Sequence, residues 1–439
     1  MKAVKPYLRY RPSGIPWIGD VPEYWELKPL FTTMREIDDR NYGNKVQNVL
    51  SLSYGKIVDR DVESNFGLLP ESFETYQIVE KGDVILRLTD LQNDQRSLRV
   101  GSVGRKGIIT SAYVCLRGLE HAIAPEYAFW LLATYDFKKV FYGLGSGVRQ
   151  VMGFVDLKRL PVVLPKIEEQ RNIAAFLDHT TAQLDDLIDQ KQQLIELLKE
   201  KRQALITSVV TKGLNPKAKM KDSGVAWLGQ IPEHWGVKKL QYLKSEALMY
   251  GANESAEDDD RNLPRFLRIT DLNSDGTLKD DTFKSLPVVV AKPYLLNDGD
   301  ILLARTGATV GKAVRYRLSW GPCCFAGYLI RFRPDANQLN SVFFEYYTQS
   351  QAYWTEIYLS AIQATIQNVS AEKYSGFLVP VPPVKEQSEI CEYLVNATNK
   401  LDLLAQRTED SVERLREYRQ SLISAAVTGK IDLSNWKTA

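Results

Sequence analysis

The sequence predicts an α+β protein: two pseudo-repeated mixed α/β units, separated by two long helices that pack on each other as an antiparallel coiled coil. Three observations carry this. Leu177, Leu184, Leu187, Leu194, Leu198 and Leu205 follow one another at helical spacing with no Pro or Gly between them, as one amphipathic helix requires. The stripe returns as Leu394, Leu401, Leu404, Leu415 and Leu422, each offset by 217 residues from its first copy. A Trp-, Gly- and Pro-bearing strap precedes each half, with the same order of short β-type runs behind it.

The chain opens on the first strap, where Gly14, Trp17, Gly19, Pro22 and Trp25 match Gly224, Trp227, Gly229, Pro232 and Trp235 at an offset of 210. Tryptophans at fixed spacing in a short irregular segment are expected to pin it by aromatic burial. Residues 1–165 hold this strap and a first unit, with strands expected at 49–54, 83–88 and 108–116, a helix at 126–142 and a closing strand at 160–165. The central helix fills 166–212 and ends at Gly213. Residues 213–382 repeat the plan, with strands at 266–270, 300–304 and 328–332, a helix at 341–358 and a closing strand at 377–382. The distal helix takes 383–428, and 429–439 form a tail. Gly82-Asp83 recurs as Gly299-Asp300, and Glu169-Gln170 as Glu386-Gln387, again 217 apart.

Charged residues flank both leucine stripes, as a coiled coil needs, although Lys191, Lys201, Thr408 and Ser411 interrupt the seam. A helix of about 40 residues is roughly 60 Å long and needs a partner along most of that length; the other copy is the simplest one.

Bulk composition narrows the classes. The 439 residues are 44% hydrophobic and 25% charged with a net charge of +2, so any basic surface has to be local. Four cysteines without paired spacing and three histidines argue against a disulfide framework or a zinc site, and reduced thiols are expected. No apolar run reaches the ~18 residues of a membrane span and the N-terminus lacks a signal-type stretch, so a cytoplasmic protein is expected.

Basic residues concentrate at matching places in the two units. Arg305, Lys312, Arg315, Arg317, Arg331 and Arg333 lie in a segment, 305–333, with no Asp or Glu. The first unit offers Arg87, Arg96, Arg99, Arg105 and Lys106 against only Asp90 and Asp94. Such clusters are the footprint of phosphates or guanine edges. The candidate DNA contacts are therefore Arg87, Arg96, Arg99, Arg105, Lys106, Arg305, Lys312, Arg315 and Arg317, with Arg149, Gln150 and Gln367 in flanking turns. The loops themselves, 92–107 and 307–321, do not repeat, which fits two related surfaces for different targets.

Lookalikes are set aside. Gly307 to Lys312 has one residue too few for a P-loop and Ala313 where magnesium needs a hydroxyl; Gly143 to Gly147 follows a helix instead of a strand. No nucleophile elbow, H-E-x-x-H or amino-methyltransferase sequence occurs, so no catalytic residue is assigned.

The repeated strap, the turn and strand from Gly299 to Gly307, and the helix start from Pro165 to Gln170 together resemble the specificity (S) subunits of type I restriction-modification systems, over nearly the whole chain. The resemblance implies two target-recognition domains, about 28–165 and 239–382, that read an asymmetric bipartite DNA target across a helical ruler. It implies two modification subunits and restriction subunits as partners. S-adenosylmethionine, ATP and Mg are then bound by those partners, and the chain itself performs no chemistry. Two alternatives are a non-DNA two-globe scaffold and a diverged stand-alone DNA methyltransferase or nuclease.

Overall fold

The structure, a computed structural model, describes residues 5–60, 72–91, 98–144, 151–273, 277–362 and 368–436. The chain forms two compact units, residues 1–191 with 410–439, and residues 192–409. Both boundaries fall inside the long helices, Ile167–Lys212 and Val384–Val427, so each unit owns one part of each helix. Gly213 and Gly429 follow the two helices at positive φ, 74° and 71°, a conformation that glycine adopts without a Cβ clash.

In the first unit the strap closes as a hairpin, Tyr10–Pro12 with Asp20–Pro22, and Glu26–Pro29 pairs with Pro161–Leu164. A four-stranded antiparallel sheet follows in the order Met34–Ile37, Val114–Gly118, Val84–Leu86, Val100–Ser102. The second unit repeats each part. Met220–Asp222 pairs with Gln230–Pro232, Gly236–Lys239 with Leu378–Val381, and the sheet runs Met249–Tyr250, Leu329–Phe332, Ile301–Ala304, Ala313–Arg315. The additions differ. The first unit carries a hairpin, Leu50–Ser53 with Lys56–Asp59, where the second has a parallel ladder, Arg265–Leu267 with Cys323–Phe325.

Three expected elements divide. The run 108–116 is two strands, Gly107–Ile109 and Val114–Gly118, around a turn in which the Tyr113 amide donates to Thr110. The first unit's helix ends at Phe137, because Lys139 takes the left-handed region at φ 58°. The helix expected at 341–358 is Ser341–Tyr347 and Gln351–Ile362, restarted at Ser350, whose hydroxyl accepts from the Tyr353 amide at 3.3 Å.

Within each unit the long helices run antiparallel. Asp185 meets Arg419 at 2.8 Å in the first unit and Arg202 meets Asp402 at 2.9 Å in the second. Ile173 and Leu177 share a core with Ile423, Ala426 and Val427, while Ile206, Val209 and Val210 share one with Ile390 and Leu394. Of the expected seam, Leu177, Leu184, Leu198 and Leu394 are buried, and Leu205, Leu401, Leu415 and Leu422 half-buried. Leu187, Leu194 and Leu404 face outward instead, at 39%, 41% and 47% exposure. Ile188 and Ile195 take the inner places one residue on, as Thr408 and Val412 do on the distal helix. A helix of 3.6 residues per turn drifts against a strict leucine count, and β-branched residues complete the buried stripe.

The repeated Glu-Gln pair is a lock at each helix start. Gln170 accepts from the Ala124 amide at 2.9 Å and donates to the carbonyls of Ala122 and Pro165; Gln387 accepts from Asn340 at 2.7 Å and donates to Gln338 and Pro382. Both glutamines are buried, so each satisfies the loop that enters its unit's domain helix. Their glutamates hold the straps. Glu169 accepts from the Tyr7 hydroxyl at 2.5 Å, the Trp25 indole at 3.2 Å and the Tyr24 hydroxyl, whereas Glu386, among the described residues, meets only His234, at 2.8 Å. Next to Glu169, burial and the carboxylate push the Tyr24 hydroxyl up to about 12.

Glu356, on Gln351–Ile362, is 6% exposed and accepts from the Leu378 amide at 2.9 Å. Burial pushes its carboxyl from 4.5 up to about 7, against the lowering pull of that amide. A carboxyl raised on folding supports the fold fully below its unfolded value and withdraws that support as pH rises through the folded one. The second unit is therefore expected to lose about 3 kcal/mol between pH ~4.5 and ~7 through this group, and Glu356→Gln to flatten that slope. Parallel stability-pH curves for the two proteins would rule the assignment out.

Candidate nucleic-acid interface

Each Gly-Asp turn holds one arginine. Asp83 accepts from the Glu80 amide at 2.8 Å and takes Arg117 in a two-point pair at 2.6 and 2.8 Å. Asp300 does the same with the Asn297 amide and Arg333, at 2.8, 2.6 and 2.7 Å. Both carboxylates are 1% exposed, so each turn buries a charge and matches it with a guanidinium from the adjacent strand. Glu246 continues the network in the second unit, meeting Arg331 at 2.6 Å and also Arg333.

This corrects the reading of 305–333 as an unopposed basic segment. Arg315 and Arg317 grip Glu345 at 2.9 and 3.0 Å, from Ser341–Tyr347, which packs against the strand carrying Arg315. With Arg331 and Arg333 they are neutralised by carboxylates that lie outside the segment. Arg315 and Arg317, both candidate DNA contacts, thus stand paired with Glu345.

Arg99, another candidate, is turned inward. Its side chain is fully buried and donates to the carbonyls of Arg87 at 3.1 Å, Thr89 at 2.8 Å and Asp90 at 3.3 Å, and to the Tyr142 hydroxyl at 3.0 Å. It is a pillar beneath the loop at 87–90, where Asp90 stands at φ 59°. The loop's own Arg87 is half-buried and, among the described residues, unpaired. Arg105 pairs with Asp59, and Lys106 with Glu80 at 3.6 Å, both at the surface, where a phosphate can displace so weak a bond. Arg96, Arg149, Gln150 and Gln367 lie outside the described residues.

In the second unit Arg305 and Lys312 remain without a carboxylate among the described residues. They flank one turn, since the Ala304 amide donates to the Lys312 carbonyl at 2.8 Å. That turn links two antiparallel strands, Ile301–Ala304 and Ala313–Arg315, and opens no helix, so it has no P-loop geometry. Arg305 lies over the Tyr250 ring, 4.7 Å from its centroid. A count of charges does not single out Arg117 or Tyr250, and Arg117 stands 216 residues before Arg333, one short of the 217 that relates the Gly-Asp turns.

Among the described residues no group of three His, Cys, Asp or Glu side chains could hold a metal ion, and no helix is long and apolar enough to cross a membrane. The four cysteines are free and buried; burial pushes the thiols of Cys323, Cys324 and Cys391 up to about 12.

Fold and site together define a two-unit protein, in which related scaffolds share two helices and carry different additions. Residues 246–414 match the family described as the type I restriction modification DNA specificity domain. The chain is 22% identical to the MjaVIII specificity subunit of Methanocaldococcus jannaschii, over 94% of this chain and 95% of that one. It is 23% identical to the StySPI specificity subunit of Salmonella potsdam, over 95% and 91%. Among solved structures, one described under assembly and conformational transition of the type I R-M system superposes with a TM-score of 0.71 at 18% identity, covering 94% of this chain and 99% of the other. The HsdS subunit of Thermoanaerobacter tengcongensis follows with 0.54 at 17% identity, covering 94% and 98%. Over most of its length the chain is thus similar to the specificity subunits of type I restriction-modification systems, a non-catalytic class whose methylase and restriction activities reside in other subunits.

Proposed function

We propose that this chain reads DNA for a type I restriction-modification complex, each unit recognising one half of an asymmetric bipartite target. The observation that carries this reading is the repeat itself: one strap, sheet order and Glu-Gln lock occur twice, while the hairpin and ladder added to each sheet differ. Equal scaffolds with unequal loops favour two different half-sites. The helices act as a ruler. At 44 and 46 residues each is roughly 65–70 Å long, about two DNA turns. They also dock two modification subunits, which a set of outward leucines supports: Leu194, Leu197, Leu403 and Leu404 are 41–60% exposed on this chain. Restriction subunits complete the assembly in the cytoplasm. S-adenosylmethionine, ATP and Mg belong to the partners.

Two experiments test this. DNA binding by the assembled complex is expected to weaken steeply with salt, as phosphate neutralisation requires; salt-independent binding, or none, would favour a protein scaffold. Inserting one heptad into each long helix is expected to change the accepted gap and leave both half-sites unchanged. A gap that stays the same would sink the ruler.

A further inference from the structure

Arg305 differs from every other arginine in 305–333. Arg315, Arg317, Arg331 and Arg333 each end on a carboxylate, and Arg305 ends on an aromatic ring. The strand register explains why. Tyr250 stands opposite Ile330, Ile330 opposite Leu303, and the Arg305 amide donates to the Tyr328 carbonyl at 3.1 Å, one rung past the Ala304–Leu329 pair. Residues two apart on a strand share a face. Tyr250, Arg305 and Tyr328 thus rise on the face of Leu303 and Ile330, where the buried core gives way to solvent; Tyr250 is 40% and Tyr328 72% exposed.

The group is held in place. The Tyr250 hydroxyl accepts from the Ala371 amide at 3.0 Å, which fixes the ring, and the Arg305 carbonyl accepts from the Val369 amide at 2.9 Å, which fixes the loop. The Arg305 Nε is buried without a hydrogen-bond partner, so the stem is sequestered and the terminal Nη pair is the end left for a ligand. A planar fork stacked on a ring, with no acid among the described residues to satisfy it, is pre-organised for two acceptors side by side in one plane.

We propose that Tyr250, Arg305 and Tyr328 form the base-reading head of the second unit, resting on the DNA-reading function above. Arg305 donates its two Nη groups to the O6 and N7 edge of a guanine in the major groove. Tyr250 is a positioning residue that holds the guanidinium plane, and Tyr328 contacts the flanking base or sugar. A phosphate offers the same acceptors without sequence information, and the experiment separates the two.

The test uses the full complex with its modification subunits, measuring binding to the target duplex and to every single-base variant of it. Arg305→Lys keeps the charge and loses the fork; it is expected to lower discrimination at one base pair of one half-site by about tenfold or more, with the other half-site read as before. Tyr250→Leu is expected to weaken the same position, and Tyr250→Phe, which keeps the ring, to restore it. A uniform loss across all sequences, with the salt slope reduced by about one, would place Arg305 on a phosphate and overturn base reading. Unchanged discrimination in both Arg305→Lys and Tyr250→Leu would overturn the site. A wild-type complex without sequence-specific binding would overturn the function itself, an outcome visible before any variant is made.

Discussion

Asp300→Ala is expected to destabilise the second unit by about 3 kcal/mol, the low end of the cost of breaking a largely buried pair, because Arg333 keeps Glu246. Asp300 is 1% exposed, caps the Asn297 amide and holds Arg333, itself 17% exposed, at two points. Removing it leaves Arg333 with Glu246, whose side chain is 48% exposed, and frees the turn before Ile301–Ala304, the central strand that carries the base-reading loop. Arg317→Ala is the control. That side chain is 38% exposed and shares Glu345 with Arg315, so its loss is expected to cost under about 1 kcal/mol. Amide hydrogen exchange reads both, because it resolves which unit opens. Equal protection around residues 297–304 in the Asp300→Ala protein and the wild type would show that the pair is not structural.

The second large effect is an asymmetry between equivalent glutamates. Glu169→Ala leaves the Tyr7 hydroxyl and the Trp25 indole without their acceptor in a buried cluster, and takes a contact from the exposed Tyr24. Unmatched buried donors make this a loss of roughly 2–4 kcal/mol. Glu386→Ala removes one contact to His234, whose side chain is 54% exposed, and is expected to cost well under half as much. Thermal unfolding followed by tryptophan fluorescence measures the difference; equal losses would mean that the two straps are pinned by packing alone. Tyr7 in turn meets the C-terminal segment, since the Leu433 amide donates to its hydroxyl at 3.4 Å and the Asp432 amide donates to the Lys5 carbonyl at 2.7 Å.

The landmarks of this fold were legible because they repeat. Trp25 and Trp235, Gly82-Asp83 and Gly299-Asp300, and Glu169-Gln170 and Glu386-Gln387 all appear in the sequence at constant offset, and all prove to hold turns and helix starts. Their tasks were not legible, since the partners of Gln170 lie at Ala122 and Ala124, reached only through the fold. The basic segment misled for the same reason. A window from 305 to 333 contains no acid, yet Glu246, Asp300 and Glu345 come to it from outside in space. Charge in a window reports composition, and ion pairing is decided by strand neighbours. The seam failed more narrowly: counting leucines passed over Ile188 and Ile195, which are buried where Leu187 and Leu194 are not. What the sequence could not carry at all is the stacking of Arg305 on Tyr250, 55 residues away and joined to it only by sheet register.

The most direct test of the account is to express the chain with the modification subunits of its own genome in a methylation-free host and sequence the DNA for methyladenine. The account expects one asymmetric motif of two specified half-sites around an unread gap, with Arg305→Lys relaxing a guanine in one half only. A symmetric or continuous motif, or methylation that ignores sequence, would contradict it.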